Sequence, residues 1–282
     1  MSFKRSINTL VQHSLPGHLL SRAVGQLAFS EIPKIKNFLI SQFIRRFDIR
    51  MDEVAEPSFH AYANFNAFFT RALKNGIRPL AGDKDVASPV DGTILSGGTL
   101  THDHKLTAKG HNFSLVELLG NEKYNNVYQG GQYLTIYLSP KDYHRVHCPI
   151  RSELKHMVHI PGRLFSVNES TTTSIPCVFA RNERVVMHFK SQHGPFLVVL
   201  VGAMLVASIK TPFAGVIAPP GRDITEWNYY QGPHHKFEQG DEIGRFQYGS
   251  TVIVITPNKM NGFDASMVSG RSVNMGESLG RL

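Results

Sequence analysis

The sequence predicts an α+β protein in which an amphipathic helical region precedes a β-rich body, and three observations carry that prediction. Up to about residue 80 the apolar residues recur at helical spacing. Beyond that point the texture changes to short valine- and isoleucine-rich runs cut by glycine and proline. Two cysteines and 41% hydrophobic residues in 282 describe a chain that buries an ordinary core without disulfide staples.

Residues 1–80 come first. Ile7, Leu10 and Val11, then Leu20, Val24 and Leu27, then Ile35, Phe38 and Leu39 follow the helical period, and Pro16 and Pro33 divide them into about three pieces. Lys4, Arg5, Lys34, Lys36, Arg45, Arg46 and Arg50 are interleaved with these apolar residues. Two readings follow: the apolar faces pack on the body of the protein, or they lie in a lipid interface with the basic residues on headgroups.

Charge narrows the choice of partner. A formal charge of +8 and a pI near 9.5 draw the chain to polyanions. No nucleic-acid motif or zinc-finger cysteine spacing is present, so an anionic bilayer is expected and nucleic acid is not. The most apolar stretch, Phe196 to Ile209, falls short of the ~20 residues a spanning helix requires, and its valines favour a buried strand. The N-terminus lacks the apolar core and small-residue cleavage site of a secretory signal. A soluble or peripherally attached intracellular protein is therefore expected.

Residues 81–282 form the predicted β body, with strands expected over 133–138, 185–189, 196–200 and 251–256. Ser88-Pro89-Val90-Asp91-Gly92-Thr93-Ile94 and Thr211-Pro212-Phe213-Ala214-Gly215-Val216-Ile217 share an order of hydroxyl, proline, glycine and isoleucine. A duplicated β unit explains this echo, and so does chance likeness between two turns. Cys148 and Cys177 read as free thiols of a reducing compartment.

The chemistry-bearing residues lie in this body. Gly249-Ser250-Thr251 sits between the charged turn Gly240-Asp241-Glu242 and the apolar run Val252 to Ile255, placing a hydroxyl beside an unhindered peptide carbonyl. Asp91, and His144 and His147 in Asp142-Tyr143-His144-Arg145-Val146-His147, supply the types and order of an Asp/His/Ser relay, though not its geometry. With a base nearby, Ser250 would add to the Gly249 carbonyl and shift the acyl group from nitrogen to oxygen. Elimination and hydrolysis would then leave a pyruvoyl group at position 250. Each part alone has a plainer reading: Gly-Ser-Thr as a hairpin turn, Asp91 as a turn aspartate, the histidines as packing residues. The two histidines would hold a metal only with further ligands, of which His156 and His159 are nearest, and no metal is expected.

The motifs in combination carry more. Asn66 to Pro79 (Asn-Ala-Phe-Phe-Thr-Arg-Ala-Leu-Lys-Asn-Gly-Ile-Arg-Pro), Ser88 to Gly92, Asp142 to His147, Phe165-Ser166-Val167-Asn168, and Lys236 to Phe246 leading to Gly249-Ser250-Thr251 occur in this order. From about residue 50 to the end the chain resembles the bacterial phosphatidylserine decarboxylase proenzymes. The resemblance implies self-cleavage between Gly249 and Ser250 by a triad of Asp91, His147 and Ser250. The products are a β chain of residues 1–249 and an α chain of residues 250–282 that begins with the pyruvoyl cofactor. It also implies that this ketone forms a Schiff base with phosphatidylserine, releases carbon dioxide and yields phosphatidylethanolamine. His144 serves that step, with proton donation the expected role because imidazole titrates near neutral pH. A homodimer and a peripheral place on the cytoplasmic side of the cell membrane, docked by residues 1–80, complete the expectation. One departure is Tyr248, where many members carry leucine. The competing readings are a Ser/His/Asp lipid hydrolase and a non-catalytic lipid-binding protein, both of which would stay uncut. Against the hydrolase, the Gly-x-Ser-x-Gly elbow is missing around Ser250.

Overall fold

The computed structural model describes residues 25–282 apart from 102, 104, 109, 168, 204–207, 218–222, 232–234 and 248–249. The expected helical pieces at Ile7–Val11 and Leu20–Val24 lie outside the described residues.

Helix α1 (Pro33–Phe47) starts on Pro33, whose missing N–H costs nothing at a first helical position. It ends where Asp48 turns left-handed at φ 51°, with Arg45 and Arg46 in the last turn complementing the negative end of the helix dipole. Its buried stripe is Lys36, Ile40 and Phe43, rotated from the Ile35, Phe38 and Leu39 that the sequence suggests. Lys36 can be buried because its ammonium donates to the His60 carbonyl at 2.8 Å. Phe43 meets the rings of Phe65 and Phe69 in the short helix α2 (Phe65–Phe69) edge-on, at 5.2 and 5.8 Å. Phe38 is left 62% exposed. Residues 48–80 are mostly turns, the expected helical spacing there being broken by 3-10 segments at Met51–Glu53 and Phe59–Ala61.

The β body begins with β1 (Asp85–Ala87), β2 (Gly92–Thr99), β3 (Lys105–Ala108), β4 (His111–Ser114), β5 (Gln132–Leu138) and β6 (Arg145–His147). It continues through β7 (Ser152–Ile160), β8 (Arg184–Ser191), β9 (Gly194–Gly202), β10 (Ile209–Thr211) and β11 (Gly215–Val216). Then come β12 (Thr225–Asn228), β13 (His235–Phe237), β14 (Glu242–Phe246), β15 (Ser250–Thr256), β16 (Ser272–Val273) and β17 (Ser278–Arg281). All four strands expected from sequence fall within β5, β8, β9 and β15.

A nine-stranded antiparallel sheet runs in the order β12-β7-β8-β9-β15-β5-β2-β16, with β13 also on β7. A four-stranded sheet, β11-β10-β14-β6, packs on one of its faces, sharing a core in which Val146, Ile243 and Phe246 meet Leu200, Val252 and Val254. The opposite face buries Leu197, Val199, Ile253 and Ile255 against Leu115, Leu118 and Phe179, which come from the short helices Leu115–Leu119 and Val178–Arg181. Burial on both faces is why β9 and β15 read as unbroken apolar runs rather than alternating ones. The echoing segments share only their turn: β10 and β11 pair as a hairpin, whereas β1 pairs with β17 and β2 with β5 and β16. Cys148 and Cys177 are both free.

Candidate active site

Three of the connections between the two sheets bear on the predicted residues. Residues 139–144 lead from β5 to β6, residues 203–208 from β9 to β10, and residues 247–249 from β14 to β15. Ser250 is the first residue of β15, flanked by Leu138 of β5 and Gly202 of β9, and it is fully buried. Its Oγ has no hydrogen-bond partner among the described residues. A buried hydroxyl left unpaired costs on the order of 1–3 kcal/mol, so this position carries a penalty that packing alone does not explain. Gly249 and Tyr248 lie outside the described residues.

Asp91 reaches the region through the turn Ser88–Gly92. Ser88 Oγ donates to the Val90 carbonyl at 2.7 Å, and His147 N–H donates to the Pro89 carbonyl at 2.8 Å, which ties the turn to β6. Glycine is required at 92, where a Cβ would lie 2.4 Å from the Tyr137 carbonyl oxygen. The Asp91 carboxylate accepts from Arg78 Nη2 at 2.6 Å, from Arg78 Nε at 3.0 Å and from Met275 N–H at 2.7 Å. The same Arg78 Nη2 also donates to Glu53 at 2.8 Å.

The two histidines are set by a tight turn in which Asp142 accepts from Ser139 N–H and Oγ at 2.7 and 2.8 Å. Burial pushes the Asp142 carboxyl above its usual range, against these hydrogen bonds. His144 Nδ1–H donates to the Asp142 carbonyl at 2.8 Å. A carbonyl only accepts, so the lone pair of His144 lies on Nε2, which is buried and unpaired among the described residues. Complete burial, with the Arg71 charge adding to it, pushes His144 down to about 3 against the opposing Asp142 carbonyl. The imidazole is therefore neutral at any physiological pH, with Nε2 able to accept a hydrogen bond and not to donate one. The Phe69 ring packs on it at 4.1 Å.

His147 Nδ1–H donates to the Gly240 carbonyl at 2.6 Å, and its Nε2 accepts from the Tyr143 hydroxyl at 3.0 Å. Gly240 holds φ +88°, which suits a residue without a side chain. Burial lowers the pKa of His147, opposed by the Gly240 carbonyl and by the charges of Glu242 and Asp91. Asp91 acts on His147 through its charge, and no hydrogen bond links Asp91, His147 and Ser250 to one another. His156 and His159 lie elsewhere, bonded to Glu226 at 3.2 Å and to Glu183 at 2.9 Å. Among the described residues no group of three His, Cys, Asp or Glu side chains is placed to hold a metal ion.

A cavity of about 280 Å³ opens beside the site, lined by Arg71, Arg78, Asp91, Lys141, Asp142 and Tyr143 among others. Sequence reasoning assigned no role to Arg78, Tyr143 or Gly240. All three stand inside the motifs quoted above, and a search of those motifs for donors facing Asp91 and His147 is the signal that finds them.

The family model described as phosphatidylserine decarboxylase matches residues 65–281, and a second, described as PSD, matches residues 7–48. A phosphatidylserine decarboxylase proenzyme of Marinobacter nauticus is 46% identical over 276 residues, covering 97% of this chain and 96% of its own. A protein of the same name from Bordetella avium is 47% identical, covering 99% and 96%. Another from Pseudomonas aeruginosa is 46% identical, covering 99% and 98%. The chain belongs to the phosphatidylserine decarboxylase family.

Proposed function

We propose that this protein decarboxylates phosphatidylserine to phosphatidylethanolamine, using a ketone that it makes by cutting itself between Gly249 and Ser250. The single observation that carries the self-cleavage is the Ser250 hydroxyl, fully buried, without a partner among the described residues, at the head of a central strand. A pyruvoyl group in its place would remove that unpaired hydroxyl, so the residues present fit the group.

In the cleavage step Ser250 Oγ gives its proton to His147 Nε2 and bonds to the Gly249 carbonyl carbon. The peptide C–N bond breaks, and the proton passes to the freed nitrogen. Loss of the Ser250 Cα proton then breaks the Cβ–Oγ bond and releases the Gly249 carboxylate. Water replaces the nitrogen, which leaves as ammonia. Asp91 assists through its charge, which favours the protonated form of His147.

The pyruvoyl group supplies an electrophilic carbonyl that takes up the substrate amine and accepts the electron pair left when carbon dioxide departs. His144 Nε2, neutral and unpaired, is free to accept a hydrogen bond from the substrate and so to orient it. Arg71 and Lys141 line the cavity and suit the anionic headgroup.

Membrane contact in this reading comes from the N-terminal region, residues 1–80. Among the described residues no helix is long and apolar enough to cross a membrane. Leu27, Phe29, Ile32 and Phe38 are exposed near Lys34, a combination that suits shallow insertion into an anionic surface. The enzyme acts there as a peripheral protein on the cytoplasmic side of the cell membrane, as a β chain of residues 1–249 with an α chain of residues 250–282, in a homodimer.

Release of carbon dioxide from phosphatidylserine vesicles tests this reading. Wild-type protein is expected to release it and Ser250→Ala to release none. Equal release by both sinks the reading.

A further inference from the structure

We propose that the Tyr143 hydroxyl is a latch on His147: it occupies the Nε2 lone pair that self-cleavage needs, and must let go before Ser250 can be deprotonated. This rests on the reading above that His147 is the base for Ser250.

The tautomer of His147 is set by its other nitrogen. Nδ1 faces the Gly240 carbonyl at 2.6 Å, an oxygen that can only accept, so the ring hydrogen is on Nδ1 and Nε2 holds the only basic lone pair. That lone pair accepts from Tyr143 at 3.0 Å. The two rings also stack, with centroids 5.5 Å apart and planes 24° from parallel. Tyr143 is 6% exposed, and burial pushes its phenol up to about 12, so it stays protonated and remains a donor.

The charged neighbours of His147 are Glu242, Asp91 and Arg145, whose cation opposes the imidazolium, and none of them bonds Nε2. Glu242 lies opposite it across the β6–β14 pair but binds Arg145 and Arg245. Asp91 binds Arg78 and Met275 N–H. Both carboxylates act on His147 only through their charge, and both favour its protonated form. Removal of the phenolic hydroxyl therefore frees the lone pair without removing the groups that stabilise the imidazolium. When the latch opens, the Ser250 proton goes to Nε2 and Oγ bonds to the Gly249 carbonyl carbon. The Gly249–Ser250 C–N bond breaks, and the proton moves on to the Ser250 nitrogen. Tyr143 keeps its own proton throughout.

Tyr143→Phe tests this, since the phenyl ring preserves the stacking and only the hydroxyl is lost. Self-cleavage of chains made by cell-free synthesis is followed by denaturing mass spectrometry between pH 6 and 9. The variant is expected to cut about fivefold faster than wild type, the size of one net hydrogen bond. Equal or slower cutting overturns the latch. His147→Ala separates the two claims. Should it cut like wild type, the assignment of His147 as base falls and takes the latch with it; should it stay uncut while Tyr143→Phe gains nothing, the latch alone falls. If folding limits both chains, visible as a rate indifferent to pH, the His147 titration decides, measured by NMR in uncut Ser250→Ala protein with and without Tyr143→Phe. Loss of a donor to the neutral ring is expected to raise the midpoint, and an unchanged or lower midpoint overturns the proposal.

Discussion

Arg78 grips Asp91 with two nitrogens at once, Nη2 at 2.6 Å from Oδ2 and Nε at 3.0 Å from Oδ1, with the side chains only 7% and 6% exposed. The same guanidinium binds Glu53, which binds Arg50 at 2.5 Å just past the end of α1. A chain of charges thus joins the N-terminal region to the aspartate proposed for processing.

Removing Arg78 takes from the buried Asp91 carboxylate its cation and leaves the partly buried Glu53 with Arg50 alone. Arg78→Ala is expected to cost about 3–5 kcal/mol in urea unfolding of the uncut protein, the range for breaking a buried pair from one side, and to slow self-cleavage. Arg78→Lys should recover only part of both, because an ammonium cannot reproduce the forked contact. Wild-type stability in Arg78→Ala would show that the pair holds nothing in place.

His144 is expected to matter for decarboxylation but not for maturation. His144→Ala should yield two chains and no carbon dioxide, read by mass spectrometry and gas release on the same sample. An uncut chain would move His144 into the processing step. Because burial holds its pKa near 3, no His144 titration should appear in the wild-type rate between pH 5 and 8.

Acid should destabilise the protein progressively from just below neutrality. His144 and His188 are both pushed down to about 3 by burial, and His147 is lowered for the same reason. Their unfolded pKa is ~6.5, so above it the neutral rings fit the fold at no cost. Below it the unfolded chain binds protons that the folded one refuses. Stability should therefore be full above about pH 6.5 and fall continuously as pH drops toward 3, measured by urea midpoints at stepped pH. His188→Phe should flatten that slope, whereas a slope that does not change would remove His188 from the account.

Docking on lipid should depend on the apolar residues that α1 leaves outside. Phe38→Asp is expected to lower binding to anionic vesicles about tenfold or more, because one exposed phenylalanine contributes roughly 1.5–3 kcal/mol when buried. Added salt should weaken wild-type binding by screening the basic residues. Unchanged sedimentation of Phe38→Asp with vesicles would place the contact elsewhere.

Much of this was legible in the sequence, for physical reasons that differ by element. β9 and β15 stood out because burial on both faces forces continuous apolar runs. The α+β class followed from the shift away from helical spacing near residue 80. The buried stripe of α1 was not legible, because Lys36 satisfies its charge on a distant carbonyl, which lets a lysine take a core position and leaves Phe38 at the surface. The site residues were legible as types within motifs. Their partners were not, since Arg78 on Asp91 and Gly240 on His147 join segments 13 and 93 residues apart. That His144 is neutral also escaped the sequence, because complete burial is a property of the packing around it.

Intact-mass analysis of the purified protein under denaturing conditions is the most direct test of the central claim. The account predicts two chains, residues 1–249 ending in a free carboxylate and residues 250–282 bearing a ketone that hydroxylamine modifies. A single chain of full mass, recovered from well-folded protein that releases carbon dioxide from phosphatidylserine, would contradict it.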